Sequence, residues 1–165
     1  MKHAVATGLP VPGAPIEWAT VADGILYTAQ IPIRADGSIE TGDIAVQADL
    51  TLQNLKRTVE AAGGTLADVA QVLVYLPQPE DFPAMNAVYQ RYFTKPYPNR
   101  ATIVAGLMVP GARIEIVAYA HVGARTPAAA RAKARPKAKA RPKTKARPKA
   151  KAKAKAKRPT ARRRR

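Results

Sequence analysis

The sequence contains no cysteine, only two histidines and few aromatic residues. The absence of cysteine excludes disulfides, thiolate nucleophiles and cysteine-based metal sites. Because His3 and His121 are the only histidines, we expect neither a histidine-based triad nor a metal site. We interpret His121 as a residue at the end of a strand in an interface, rather than as a catalyst.

Several familiar motifs are missing as well. The chain has no phosphate-binding glycine loop, no G-x-S-x-G elbow and no H-E-x-x-H sequence. No apolar run approaches the length of a membrane span, and the first 15 residues contain no apolar run of signal-peptide length. We therefore expect a cytoplasmic protein without a membrane span.

Acidic residues are absent from residue 123 onward. All 11 of them lie before that point, together with eight of the 28 Lys and Arg residues, so that this segment has a net charge of −3 (8 − 11). The remaining 20 basic residues lie beyond it. This asymmetry predicts a flexible lead-in (1–15), one globular domain (16–122) and a disordered polycationic tail (123–165).

Turn and capping residues delimit the first elements of the domain. Asp23-Gly24 lies between two apolar runs of residues 16–33 and predicts a hairpin. Asp43 is suited to cap a helix from about Ile44 to Ala62, whose apolar residues recur every three or four positions. Gly63-Gly64 is expected to end that helix.

The second half of the domain predicts a strand, a helix and two more strands. "VAQVLVYLP" (69–77) is a short, nearly continuous apolar run, which indicates a buried strand. Residues 79–93 predict an amphipathic helix with Pro83 in the first turn, where proline is tolerated, and with an apolar stripe of Phe82, Met85, Tyr89 and Phe93. Residues 98–122 predict two strands joined by a Pro-Gly turn. The order β-β-α-β-α-β-β indicates an α+β fold with both helices on one face of the sheet.

The other face of this sheet is expected to be partly apolar. In the last strand Ile114, Ile116, Ala118 and Ala120 suit the helix-covered face, whereas alternation places Arg113, Glu115, Val117, Tyr119 and His121 on the opposite one. Either Val74 and Leu76 or Leu73 and Tyr75 must also face away from the helices. Because such a surface is normally covered, we predict a homo-oligomer that buries the open face.

Two charged residues in the last strands, Arg100 and Glu115, are candidates for chemistry. Spacing alone favours a structural ion pair or ordinary charges at strand ends, since most ion pairs are structural. The functional alternative is that the planar fork of Arg100 binds a carboxylate and Glu115 orients or deprotonates a water.

Three segments together resemble the RidA/YjgF family of enamine/imine deaminases over about residues 14–122. They are "QIP" after a strand, "MNAVYQRYF" on the second helix and "PNRATIVAGLMVPGARIEIVAYA" at the end. The most specific part is Arg100 followed fifteen residues later by Glu115, which lies within an I-E-I strand. The resemblance implies a chorismate-mutase-like fold and a homotrimer with active sites in the clefts between subunits.

The resemblance also implies roles for individual residues. Arg100 would grip the carboxylate of a 2-imino or 2-enamino acid, and Glu115 would activate the water that attacks the C=N carbon. The products would be ammonia and a 2-keto acid, without a metal or organic cofactor. Asn86 matches an Asn near the family's pocket, although it is equally suited to an interface, and Ala101 and Thr102 would line the pocket.

Two segments depart from the family pattern. Where many members have "SGQ", this chain has Thr28-Ala29-Gln30, which keeps a hydroxyl but adds a methyl group where backbone would approach substrate. Where many members have Pro-Tyr near the start, this chain has Pro15-Ile16, with Trp18 close behind. These differences are expected to shift substrate preference.

The tail contains three successive hexapeptides, "ARPKAK", "ARPKTK" and "ARPKAK", and ends in "RRRR". Such a chain binds polyanions by counterion release, without sequence specificity because it lacks base-stacking aromatics. Its composition resembles the tails of linker-histone-like nucleoid proteins. We predict that it binds DNA or RNA, through residues that include Arg135, Lys137, Arg141, Lys143, Arg147, Lys149, Arg162 and Arg163.

Two hypotheses follow for the whole chain. In the first, the protein is an imine/enamine deaminase with a tethering tail. In the second, it is a nucleoid- or RNA-associated protein in which the trimeric domain is a platform or a small-ligand sensor. A solubilising tail without a dedicated partner is the simplest alternative for the basic segment.

Overall fold

A computed structural model of the protein describes residues 1–123. Within them, six strands and two α-helices follow one another: β1 (His3–Ala4), β2 (Ala19–Ala22), β3 (Ile25–Gln30), α1 (Ile44–Ala61), β4 (Val69–Leu76), α2 (Phe82–Tyr92), β5 (Asn99–Val104) and β6 (Glu115–His121). Short 3-10 turns, Leu66–Asp68 and Pro79–Asp81, precede β4 and α2. The predicted tail lies outside the described residues, apart from Gly123.

The six strands form one mixed sheet in the order β1-β2-β3-β6-β4-β5. Only β4 and β5, which α2 connects, are parallel neighbours. Both helices belong to an α+β arrangement, so the predicted fold class and the order of its elements from β2 onward are confirmed. None of the helices in residues 1–123 is both long enough and apolar enough to cross a membrane.

Local sequence signals account for the ends of α1. The side chain of Asp43 accepts a hydrogen bond of 3.0 Å from the backbone N–H of Val46, as expected of an N-cap. Gly63, with φ of 83°, adopts the left-handed conformation that follows many helices. The hairpin between β2 and β3 also turns at Asp23 and Gly24, where both φ angles are positive.

The hydrophobic core lies between the helices and one face of the sheet. On α1, Leu52, Leu55 and Val59 are fully buried, and Met85 is the fully buried residue of α2. The sheet contributes alternate residues, namely Leu26, Val72, Val74, Leu76, Ile116, Ala118 and Ala120. This pattern confirms the predicted inward face of β6 and shows that Leu73 and Tyr75 are the residues of β4 on the open face.

The open face carries aromatic and aliphatic side chains in register across four strands. Tyr27 and Tyr119 are cross-strand partners, and their rings meet edge to face with centroids 5.5 Å apart. In the next row Ala29, Val117, Leu73 and Ala101 lie side by side. Tyr27 and Ile103 are 40% and 45% exposed, respectively, so residues 1–123 leave this face uncovered.

Two features differ from the sequence predictions. No element was predicted before residue 16, whereas His3 and Ala4 pair with β2 as an edge strand too short to show any periodicity. The two last strands were predicted to be joined by a Pro-Gly turn alone. Instead, β5 and β6 lie on opposite sides of β4, and a ten-residue connection (105–114) containing Pro110-Gly111 spans the end of that strand.

Candidate active site

Arg100 lies on β5, the edge strand next to α2. Its cross-strand partner is the buried Val72, so its side chain belongs to the helix-covered face. There its Nη2 donates a hydrogen bond of 2.9 Å to Oδ1 of Asn86. The structure therefore brings together two residues that the sequence singled out separately.

Two aromatic rings of α2 support the same guanidinium. Its central carbon lies 4.5 Å from the ring centroid of Tyr89 and 5.7 Å from that of Phe82. Both distances are within the range of cation–π attraction. Together with Asn86 these rings fix the position of the planar guanidinium, and most of its N–H donors make no hydrogen bond to residues 1–123.

No carboxylate neutralises Arg100 within residues 1–123. Three carboxylates there pair with other arginines, in the pairs Arg34–Glu40, Arg91–Asp49 and Arg113–Asp81. A half-buried, pre-oriented arginine without a carboxylate is suited to bind an anionic ligand, because its fork matches a carboxylate in two hydrogen bonds.

Tyr89 gives this arginine a neutral platform. Burial raises the pKa of the Tyr89 phenol to about 12, although the nearby Arg100 charge acts in the opposite direction. The phenol is therefore protonated at neutral pH. Its oxygen is buried and has no hydrogen-bond partner within the described residues, so the ring interacts with Arg100 through its face rather than through its hydroxyl.

Glu115 lies on the other side of the sheet. It begins β6 opposite Tyr75, on the open face. Because β4 separates β5 from β6 and the register differs by three residues, we place the α-carbons of Arg100 and Glu115 about 14 Å apart. The structural ion pair, one of the two alternatives that spacing alone favoured, is therefore not formed between them within one chain.

The remaining predicted pocket residues divide between the two faces. Ala29 and Ala101 lie on the open face, in the row adjacent to Glu115. Thr102 is paired with the buried Val74 and so shares the face of Arg100. Ile16, in the segment before β2, is 57% exposed.

Thr28 and Trp18 make structural hydrogen bonds instead of presenting free polar groups. The buried Thr28 hydroxyl donates to the carbonyl of Trp18 at 2.7 Å and accepts from Nε2 of Gln30 at 2.7 Å. The indole N–H of Trp18 donates to the carbonyl of Pro10 at 2.6 Å. These bonds fix the chain before β2 against β3, beside Ala29.

The sequence interpretation did not assign the aromatic support of Arg100. Phe82 and Tyr89 were assigned to the apolar stripe of α2, and Tyr89 is indeed buried, but both also contact the guanidinium. Their spacing from Asn86, four residues before it and three after it, contained the signal, since all three lie on one face of a helix. The residues predicted to bind nucleic acid all lie outside the described residues.

Comparison with known proteins supports the resemblance. The family model described as Endoribonuclease L-PSP matches residues 10–122. The chain is 39% identical over 117 residues to the 3-aminoacrylate deaminase RutC of Acinetobacter baylyi, covering 70% of this chain and 93% of that protein.

Two solved structures from E. coli share the fold. The YjgF gene product is 29% identical, with a TM-score of 0.65 over 71% of this chain and 95% of that one. TdcF, solved with bound serine, is 28% identical, with a TM-score of 0.66 over 72% and 98% of the two chains. The fold and these matches show that the chain belongs to the Endoribonuclease L-PSP family, the RidA/YjgF family.

Proposed function

We propose that this protein deaminates small 2-imino and 2-enamino acids, releasing ammonia and a 2-keto acid. The observation that carries the proposal is the oriented Arg100, which no carboxylate of residues 1–123 neutralises. A relative 39% identical over most of the domain is described as a deaminase of 3-aminoacrylate, itself a small enamine carboxylate.

In this proposal Arg100 binds the substrate carboxylate. Asn86 accepts one hydrogen bond from Nη2 of Arg100. The remaining N–H donors of the guanidinium form two parallel hydrogen bonds to the oxygens of the substrate carboxylate. This orients the C=N carbon without any covalent bond to the protein. Thr102, which shares the face of Arg100 on β5, lines the same position, and Ala101 lines the pocket from the open face.

Glu115 acts on water. Its carboxylate takes a proton from the water as the water oxygen bonds to the C=N carbon, and passes that proton to the nitrogen to give a carbinolamine. Glu115 then moves the hydroxyl proton to the nitrogen in the same way, and the C–N bond breaks to release ammonia and the 2-keto acid. The net change is the addition of one water, so neither an oxidant nor a reductant is consumed.

One chain cannot provide this site. Arg100 and Glu115 lie on opposite faces, about 14 Å apart, which is too far for both to contact a substrate of three or four carbons. We propose that a second copy packs its open sheet face, which carries Glu115, against the β5 edge of its neighbour and so brings its Glu115 to that neighbour's Arg100. The open-face residues Tyr27, Tyr119 and Leu73 would then be buried, and a cyclic homotrimer is the assembly that the family resemblance implies.

Ala29 is proposed to narrow the pocket. Its methyl group projects from the open face next to Val117, in the row adjacent to Glu115. On the segment before β2, the aliphatic Ile16 and the hydrogen-bonded Trp18 add apolar surface. Together these residues favour substrates with short aliphatic side chains.

The direct test is ammonia release from 2-iminopropionate generated in situ by an amino-acid oxidase. We expect the full-length protein to accelerate ammonia release above the spontaneous rate, in proportion to protein concentration. Equal rates with and without the protein, for both 2-iminopropionate and 3-aminoacrylate, would refute the proposed function.

RNA cleavage, which the family description names, is less consistent with this site. Ribonuclease chemistry on a 2′-hydroxyl needs a paired general base and general acid, a role that histidine fills most often. Here His3 lies on β1 and His121 ends β6, where it pairs with Ile25. Neither His lies on β5 or α2, which carry Arg100 and the groups that hold it.

The basic tail supports a second, compatible proposal. The segment from residue 123 has 20 basic residues and no acid, whereas residues 1–122 are net acidic. We propose that the tail binds DNA or RNA through phosphate contacts, and that a trimer presenting three tails binds more tightly through avidity. Tail binding would tether the enzyme to a nucleic acid. The alternative is that the domain has no catalytic activity and serves only as a platform for the tails.

Removing residues 124–165 is expected to abolish retardation of duplex DNA in a gel and to leave deaminase activity unchanged. For the full-length protein, engagement of about six phosphates predicts a slope of about −5 for log affinity against log salt concentration. Binding isotherms between 50 and 200 mM salt measure this slope, with RNA tested in parallel.

A matched control keeps the tail length and removes part of its charge. Changing the eight predicted contact residues to Gln should reduce the slope without changing turnover; they are Arg135, Lys137, Arg141, Lys143, Arg147, Lys149, Arg162 and Arg163. Retained DNA binding by the truncated, net acidic chain would contradict the division into two modules.

A further inference from the structure

We propose that Arg113, Asp81 and Gln47 are positioning residues that hold Glu115 in place for the reaction. They touch no part of the proposed substrate position, and their role would be exerted through the backbone at the start of β6. This inference rests on the proposed function, since it assigns a catalytic consequence to the position of Glu115.

Gln47 anchors the connection that leads into β6. Its side chain, 1% exposed, uses both ends of its amide on backbone groups. Nε2 donates to the carbonyls of Gly42 at 3.2 Å and Gly111 at 3.1 Å, and Oε1 accepts from the N–H of Arg113 at 2.8 Å. A buried amide satisfied in this way ties residues 111–113 to the start of α1.

Arg113 then ties the same segment to α2. Its Nε donates to Oδ2 of Asp81 at 3.1 Å, and its Nη2 donates to Oδ1, which makes the pair bidentate. The Asp81 side chain is only 5% exposed. A buried carboxylate without a partner would strongly destabilise the fold, so Asp81 holds the Arg113 guanidinium in place. Arg113 lies two residues before Glu115 in the chain.

The residue that receives this guanidinium directly precedes the helix that holds Arg100. Asp81 is followed by Phe82, and Phe82 and Asn86 contact the Arg100 side chain. The rest of α2 is packed into the core by Met85 and Tyr89. The rigid helix α2 therefore positions Arg100 directly and positions Glu115 through the Arg113–Asp81 ion pair.

Another ion pair in the chain provides a matched comparison. Arg34 and Glu40 form the same bidentate contact, and the Arg side chains of both pairs are 42% exposed. Arg34 lies in the loop after β3 and contacts neither Glu115 nor the groups that hold Arg100. A purely structural effect of losing an arginine fork should therefore be similar at both positions.

The test is Arg113→Lys, which keeps the charge but loses the planar fork. We expect kcat to fall by about 10-fold to 100-fold, as misplacement of a catalytic group by less than 1 Å predicts. KM should change by less than about 2-fold, because α2 keeps Arg100 in position. Arg34→Lys should leave both constants unchanged, and Asp81→Asn should reproduce the loss in kcat.

A double-mutant cycle shows whether the effect acts through Glu115. In a Glu115→Gln background the residual rate should be the same with Arg113 or Lys at position 113. Hydrogen exchange should also become faster at the amides of residues 113–116 in Arg113→Lys, and not in Arg34→Lys. Equal losses from Arg113→Lys in both backgrounds, or an equal loss from Arg34→Lys, would overturn the inference while leaving the proposed function intact. An inactive wild-type protein would overturn the proposed function, and the catalytic role of these residues with it.

Discussion

Replacing Arg100 with Ala is expected to lower kcat/KM for imino-acid deamination by about 10³-fold. Two hydrogen bonds to the substrate carboxylate would be lost, each worth about 1.5–3 kcal/mol because both partners are charged. A total of about 4 kcal/mol corresponds to three orders of magnitude in rate. The fold should be retained, because Arg100 is only half-buried and forms no ion pair with a described residue.

The measurement is the coupled ammonia assay together with thermal unfolding and light scattering on each variant. Arg57→Ala is the matched control, since it removes the same charge from an exposed position on α1 and should leave turnover unchanged. Arg100→Lys keeps a cation but not the fork, and we expect its kcat/KM to lie between those of the wild type and Arg100→Ala. Activity of Arg100→Ala within 3-fold of the wild type would show that the carboxylate is bound elsewhere.

The elements that the sequence predicted well are those whose signals are local. Asp43 and the glycines after α1 define the two ends of that helix, and the Asp23-Gly24 turn defines the first hairpin. The inward face of β6 follows from the two-residue period of a strand, because every inward position carries Ile or Ala. In each case neighbours within a few residues determine the conformation, so no knowledge of distant contacts is needed.

The pairing of the last two strands could not be predicted from such signals. Nothing in residues 99–104 specifies that β5 adds to the far side of β4 rather than pairing with β6. That outcome depends on α2 covering the sheet and on the ten-residue connection that crosses the end of β4. Alternation assigns residues to faces only, and the choice of neighbouring strand is a long-range property.

For the candidate site, residue types were easier to predict than their surroundings. The resemblance singled out Arg100 and Asn86 separately, and the structure joins them by a hydrogen bond of 2.9 Å. The separation of Arg100 from Glu115 depends on the strand order, which the sequence did not reveal. The aromatic support from Tyr89 was hidden because a buried helix stripe and a cation–π platform have the same apolar pattern.

The separation of Arg100 and Glu115 leads to a prediction with an all-or-none outcome. If each site takes Arg100 from one chain and Glu115 from its neighbour, two inactive variants should restore activity when they share an oligomer. Arg100→Ala chains and Glu115→Gln chains, unfolded and refolded together in equal amounts, should recover about one quarter of wild-type activity, because one quarter of the interfaces join two intact residues. Each variant refolded alone should remain inactive.

A second mixture separates shared sites from sites within one chain. When wild-type chains are refolded with an equal amount of chains carrying both substitutions, shared sites predict about one quarter of the activity of an equal total of wild-type chains, whereas sites within one chain predict about one half. Native mass spectrometry of variants with different tags establishes that the chains have mixed. The whole site would lie in one chain if the mixed single variants recover no activity and the second mixture retains one half of the wild-type activity. That result would be difficult to reconcile with the opposite faces that Arg100 and Glu115 occupy, since β4 lies between their strands and the shared sheet holds them about 14 Å apart.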